Sequence, residues 1–317
     1  MDKRSVENLL KSFKKLKIAV IGDLILDKYL FGKVERISPE APVPIFEMER
    51  EEFRAGGAAN VALNLKSLGV GDVLLLGRVG DDFEGKVLKE ILHKNQISTA
   101  LVEAKDIPTI RKTRVVARSQ QLLRIDREIK KPLTEKETKQ LFESLKNFEP
   151  DAVIVSDYAK GVVTQYLGNL LRNYTKAPTF VDPRPQNYKN YFGLFCMTPN
   201  LKEFREIAKN FSLEGSYEET APILRRKMGL DTLVVTLSEK GIALVKDRIK
   251  HFPAMAKEVY DVTGAGDTVI ASLTAAYISS DNWDLACRFA NICAGIAVSK
   301  LGTAQVYPNE ILQFIDK

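Results

Sequence analysis

Lys17-Ile18-Ala19-Val20-Ile21-Gly22-Asp23 runs apolar without alternation and then turns abruptly polar. A strand buried on both faces reads this way when it delivers polar groups at its carboxyl end. The pattern recurs down the chain. Val73 to Leu76 ends at Gly77, Ala152 to Val155 at Ser156-Asp157, Thr179 to Val181 at Asp182, and Thr232 to Val235 at Thr236. Between these runs, apolar residues return every three or four positions in 58–68, 83–95, 135–147, 164–174, 201–210 and 217–228, the spacing of amphipathic helices. Ahead of them, Val6, Leu9, Leu10, Phe13 and Leu16 predict a helix capped near Ser5. Strands alternating with helices predict an α/β fold with a mostly parallel sheet, whose ligands gather beyond the carboxyl ends of the strands.

Two segments break the alternation. Residues 24–53 carry Pro39, Pro42 and Pro44, and residues 97–127 mix β-branched with basic side chains. Both are expected to be extended strands outside the main sheet, forming a small flap over the strand ends. With no internal repeat or long linker, residues 1–317 read as one domain carrying that flap.

Composition narrows the function classes. A chain of 317 residues with 45% apolar content sustains a large core, and 47 basic against 41 acidic residues leave a net charge of +6. The basic cluster Lys11, Lys14, Lys15 and Lys17 lacks interleaved aromatics, so a solvated helix face is favoured over a nucleic-acid surface. Cys196, Cys287 and Cys293 have neither zinc nor disulfide spacing, and the two histidines, His93 and His251, are far apart. No run is long enough to span a bilayer and no signal-peptide core is visible, so a cytoplasmic protein without a membrane partner is expected.

Chemistry concentrates in a few motifs. Asp261-Val262-Thr263-Gly264-Ala265-Gly266-Asp267 opens an apolar run from Thr268 to Ile278. Small residues let backbone amides converge on an anion at a helix N-terminus, and Asp267 is placed to take the proton of an attacking hydroxyl. A plain glycine turn with an acid favoured by the helix dipole is the competing account. Gly56-Gly57-Ala58-Ala59-Asn60 suits a sugar hydroxyl or simply a packed turn, and Asp23 and Asp27 either accept from vicinal hydroxyls or cap a turn. Asn200 and Glu203 either order Mg²⁺ near nucleotide phosphates or cap a helix. Thr236-Leu237-Ser238-Glu239-Lys240-Gly241 offers hydroxyls and a turn glycine to a nucleotide. The Walker lysine loop, the protein-kinase signatures and a strand-linked G-x-G-x-x-G are all missing, so phosphoryl transfer would use another scaffold.

Taken in order, Gly22-Asp23, Gly56-Gly57-x-x-Asn60, Asn200-x-x-Glu203 and Thr263–Asp267 resemble the ribokinase-like (PfkB) sugar kinases over most of the chain. The runs Arg36–Pro44, Ser119–Asp126, Ser156–Gly161 and Val181–Pro185 are similar to the heptose-7-phosphate kinase branch of that family. The resemblance implies a three-layer α/β/α sandwich with a β lid that often dimerises, hence a homodimer. It also implies ATP as co-substrate and Mg²⁺, and leaves a monovalent cation open. It makes Asp267 the base on the anomeric hydroxyl, with Gly264, Ala265 and Gly266 as the anion hole. Asn200 and Glu203 would hold phosphate and Mg²⁺. Thr236, Ser238 and Gly241 would line the nucleotide site with Asn291 near the base, and Asp23, Gly56, Gly57 and Asn60 would grip the sugar. Lys160 would face phosphate.

The product implied is a heptose 1,7-bisphosphate for lipopolysaccharide core precursors. Members are often fused to a nucleotidyltransferase; ending at Lys317, this chain resembles the stand-alone kinase. Another sugar or nucleoside kinase, or a binding module without turnover, remains an alternative. A phosphorylated sugar needs cations opposite the base, and Lys112, Arg114, Arg118 and Arg124 crowd the lid. They form either a phosphate clamp, with Arg184 joining, or a solvated lid face.

Overall fold

Along β1 (Lys17–Gly22), Ile18 and Val20 enter one apolar core while Ala19 and Ile21 enter a second on the opposite side. That division explains the unbroken apolar run, because a strand with helices on both faces has no solvent side to keep polar. The computed structural model describes residues 1–118, 120–256 and 259–316. Ser119, which opens the run Ser119–Asp126, and Lys317 lie outside the described residues.

The chain starts with α1 (Lys3–Phe13) and β1, then leaves the body through β2 (Leu24–Ile37) and returns along β3 (Pro44–Gly57). Next come α2 (Ala58–Ser67), β4 (Asp72–Gly80), α3 (Phe83–Lys94) and β5 (Ser98–Ala104), followed by β6 (Ile110–Ala117) and β7 (Gln120–Arg127). The middle of the chain supplies α4 (Glu135–Phe148), β8 (Ala152–Ser156), α5 (Gln165–Tyr174), β9 (Thr179–Asp182) and β10 (Cys196–Met197). It continues through α6 (Leu201–Lys209), α7 (Tyr217–Lys227), β11 (Thr232–Thr236), β12 (Ile242–Val245) and β13 (Ile249–Phe252). Three helices finish it: α8 (Ala265–Ser280), α9 (Trp283–Ala297) and α10 (Pro308–Ile315). Helices α4, α6 and α7 begin with reciprocal capping boxes from Thr134, Asn200 and Ser216 to a glutamate three residues on.

Nine strands form the main sheet in the order β13-β12-β11-β10-β9-β8-β1-β4-β5. All pairings are parallel except β11 with β12 and β12 with β13. One core gathers α1, α2, α8 and α9, the other α4, α5, α6 and α7, which makes three layers. A separate four-stranded sheet, β3-β2-β6-β7, forms the lid, with its central pair β2 and β6 parallel. Glu84 on α3 ties the lid to the body by pairing with Arg111 and Arg127.

Several expectations need correction. Residues 98–104 do not join the lid: they pair with β4 at the edge of the main sheet, so the second lid segment is 110–127. The first lid segment runs on through Gly57, and β4 continues past Gly77 to Gly80. The N-cap of α1 is Asp2, whose carboxylate accepts from Ser5 N–H. The short β10, the β12–β13 hairpin, α9 and α10 carried no distinct signal against their neighbours. Lys11, Lys14 and Lys15 are exposed on or just after α1, as a solvated face requires. Among the described residues, no helix is long and apolar enough to cross a membrane.

Candidate active site

β8 and β9 pack against α8, which also packs against α2, the helix that follows the first lid hairpin and lies on β1. At the junction Gly264 takes φ 79°, a left-handed conformation that suits glycine, and a Cβ there would sit 2.9 Å from Asn60 Nδ2. The turn therefore brings α2 against the first turn of α8. Asn60, fully buried, donates through Nδ2 to Asp267 Oδ2 at 2.7 Å, and the Tyr158 hydroxyl donates to Oδ1 at 2.9 Å. Gln305 Nε2 steadies Asn60 by donating to its Oδ1 at 3.2 Å.

Burial pushes the Asp267 carboxyl up to about 6, against the lowering effect of those two hydrogen bonds. A carboxylate poised there is ionised at neutral pH yet basic enough to accept a proton. The Ala265 amide, assigned to the anion hole, instead donates to the Val262 carbonyl at 3.2 Å. Among the described residues the Gly266 and Asp267 amides have no acceptor, so they form the open end of the helix.

Acidic groups cluster beside this point. Asp182, at the end of β9, lies with its Oδ2 3.8 Å from where a Cβ on Gly266 would stand. Burial, reinforced by Asp267 and Glu203, drives its pKa well above the usual carboxylate range. Glu203 is raised chiefly by burial as well. It closes the capping box with Asn200 through Oε2 and pairs with Arg184 through Oε1 at 2.6 Å. Capping and ion pairing thus engage Asn200 and Glu203 before any ligand does. Arg184 pairs with Glu203 and lies over the Tyr158 ring, the ring that Lys112 also approaches.

On the lid, the registers Asp27↔Lys112, Tyr29↔Arg114 and Arg114↔Arg124 put these side chains on one face. Asp27 is buried and paired with Arg114, and Gly56 is glycine because a Cβ would run into the Asp27 carboxylate. Burial lowers the pKa of Lys112 against the opposing attraction of Asp27, and the like charges of Arg114, Lys160 and Arg124 act with burial. Such crowded cations favour an anion among them. Arg124 itself is half exposed and forks onto Asp126 at 2.8 and 2.9 Å, while Lys160 pairs with Glu128 at 2.6 Å.

Asp23 is engaged by the backbone. Its carboxylate accepts the amides of Tyr158 and Lys160 at 2.9 Å and of Val162 at 3.0 Å, so it builds the loop that presents Tyr158. Asp23→Ala strands three amides, the Val162 one buried and the other two partly so, and is expected to lower stability by about 2–4 kcal/mol in urea unfolding. A substrate KM that rises while stability stays normal would assign Asp23 to the sugar.

Gly57 takes φ 61° facing the Asp23 carbonyl. Further along the sheet, Thr236 bridges Asn200, and Gly241 at φ 90° lies against the Phe252–Ala254 turn. Asn291 spends its amide on the carbonyls of Phe252 and Pro253, holding that turn in place, and Ser238 is exposed nearby in sequence.

Sequence reasoning gave no role to Tyr158, Asp182, Arg54 or Gln305. Tyr158 and Asp182 stand in motifs already singled out, whereas Gln305 reaches Asn60 across 245 residues and Arg54 reaches the Leu301 carbonyl across 247.

Comparison with known proteins gives the family. "Bifunctional protein HldE" of Trichlorobacter lovleyi is 41% identical over 98% of this chain, and the chain spans 65% of that relative's length. The solved phosphofructokinase-2 of Escherichia coli in complex with potassium shares the fold, with a TM-score of 0.79 at 19% identity over 95% of this chain and 98% of that one. Arabidopsis thaliana ribokinase complexed with ribose and ATP gives a TM-score of 0.72 at 17% identity over 95% and 99%. Residues 15–310 match the model of the pfkB family carbohydrate kinases. By that match and the placement of its strand-end motifs, this chain belongs to the pfkB carbohydrate kinases and is a sugar kinase.

Proposed function

We propose that the chain transfers the γ-phosphoryl group of ATP to the anomeric oxygen of D-glycero-β-D-manno-heptose 7-phosphate, giving the 1,7-bisphosphate used for lipopolysaccharide core precursors. The observation that carries the reading is the pairing of a buried, raised-pKa Asp267 with the open first turn of α8. Asp267 accepts the proton of the C1 hydroxyl as that oxygen attacks phosphorus, and the Gly266 and Asp267 amides steady the equatorial oxygens. Lys112, Arg114 and Arg124, with Lys160, receive the 7-phosphate at the far end of the sugar, and Asp27 and Asn60 orient its hydroxyls. Thr236, Ser238, Gly241 and Asn291 with the Phe252–Ala254 turn frame the nucleotide.

Among the described residues no three metal-ligating side chains cluster as a metal site, which is compatible with Mg²⁺ carried in on ATP, an ion that takes one or two carboxylates together with substrate phosphates and waters. Such an ion would neutralise phosphate charge during transfer. Glu203 would hold it, on release from Arg184. A homodimer through the lid follows from the apolar side chains the lid exposes, Met48, Leu122, Leu123 and Ile125 among them. Residence in the cytoplasm follows from substrates that are ATP and a sugar phosphate.

ADP release measured over heptose 7-phosphate, ribose, fructose 6-phosphate and a nucleoside, with and without K⁺, tests the substrate. The heptose phosphate is expected to give the highest kcat/KM. Preference for an unphosphorylated sugar would replace the substrate assignment, and no ADP from any of them would favour a binding module.

A further inference from the structure

We propose that Tyr158 is a positioning residue for Asp267, its phenol holding Oδ1 so that the carboxylate stays aimed at the attacking hydroxyl. The inference rests on the reading of Asp267 as the base.

Tyr158 is fixed at three points. Its backbone N–H donates to Asp23 Oδ2 at 2.9 Å, its hydroxyl donates to Asp267 Oδ1 at 2.9 Å, and its ring carries two cations. The Arg184 guanidinium lies 4.8 Å from the ring centroid and Lys112 Nζ 5.5 Å from it. Cations over the aromatic face lock the ring plane, and through the ring the lid strand β6 and the Glu203 cluster share one fulcrum. Burial drives the phenol far above its usual pKa, so it remains a donor wherever the enzyme is folded.

The groups around Asp267 divide by sign. Asp27 from β2 and Asp182 from β9 oppose its ionisation, Glu203 from α6 adds to the acidic side through Asp182, and Arg184 supports ionisation. Lys112 acts from β6 through the tyrosine ring. Asn60 and Tyr158 are the side chains that donate to the carboxylate directly. A hydrogen bond to the charged form favours that form, so removing one of two donors raises the pKa. An attacking hydroxyl can still approach, because a carboxylate accepts at about four lone-pair sites.

Tyr158→Phe removes the donor and keeps the ring that the two cations grip. In ¹³C-aspartate-labelled protein, with Asp267→Asn used to assign the resonance, the wild-type carboxyl should titrate at about 6. In the Phe variant it should titrate about one unit higher. The acidic limb of kcat/KM should move by the same amount, so the variant loses about five- to tenfold near pH 6 and recovers above pH 8. Coincident carboxyl titrations in the two proteins would overturn the inference, as would a loss of activity equal at every pH. A carboxyl that shifts while no sugar is phosphorylated would refute the kinase reading and leave the hold of Tyr158 on Asp267 standing. Should the Phe variant fail to fold, 3-fluorotyrosine at position 158, a stronger donor, must lower the Asp267 titration, and an unchanged value overturns the proposal.

Discussion

Asp267→Asn is expected to cut kcat about a thousandfold, with KM for sugar and ATP within a few-fold of wild type. The amide preserves shape but cannot take a proton, and both present donors, Asn60 Nδ2 and Tyr158 Oη, aim at oxygens that in the variant are one oxygen and one nitrogen. Folding should survive. The folded-state pKa of Asp267 lies above its usual value, so the ionised form weakens the fold above about pH 6 and the neutral amide removes that burden. Steady-state kinetics with a thermal melt at pH 8 checks both parts. A kcat within tenfold of wild type would take the proton-accepting role from Asp267, and a rise in KM at constant kcat would make it a binding group.

Arg114→Ala should raise KM for heptose 7-phosphate about a hundredfold and leave kcat within a few-fold. Its guanidinium is largely buried, shares a lid face with Lys112 and Arg124, and faces the Asp27 carboxylate. On the proposed clamp, deleting it removes a phosphate ligand; it also strands Asp27, so some loss of stability accompanies the kinetic effect. The two are separated by comparing substrates. A lost phosphate contact penalises the phosphorylated sugar and spares the sugar without its 7-phosphate, whereas general loosening penalises both. Equal effects on the two substrates would remove Arg114 from the clamp.

The legible parts of this molecule were those written locally. Unbroken apolar runs ending in a polar residue located five main-sheet strands, because burial on both faces leaves no alternation. The glycine turn before α8 was readable for a similar reason: a left-handed residue at Gly264 and an acid three residues on are neighbours in the chain. Residues 98–104 misled because β-branched composition marks a strand without saying which sheet takes it. The amides that Asp23 accepts were not legible, because a carboxylate after β1 serves equally a hydroxyl or a set of amides, and these three lie 135 to 139 residues away. Arg184 was assigned by charge alone, and only tertiary packing shows its pairing with Glu203, 19 residues on. Tyr158 had no signal of its own, since a tyrosine after a strand is ordinary until an aspartate 109 residues away receives its hydroxyl.

The most direct test of the central claim is a ³¹P NMR spectrum of the reaction with ATP, Mg²⁺ and heptose 7-phosphate, run beside Asp267→Asn. Transfer to C1 predicts a second sugar-phosphate resonance coupled to the anomeric proton, growing in step with ADP and nearly absent with the variant. A new phosphate on any other carbon, or one formed equally fast by Asp267→Asn, would contradict the assignment of Asp267 as the base acting on the anomeric hydroxyl.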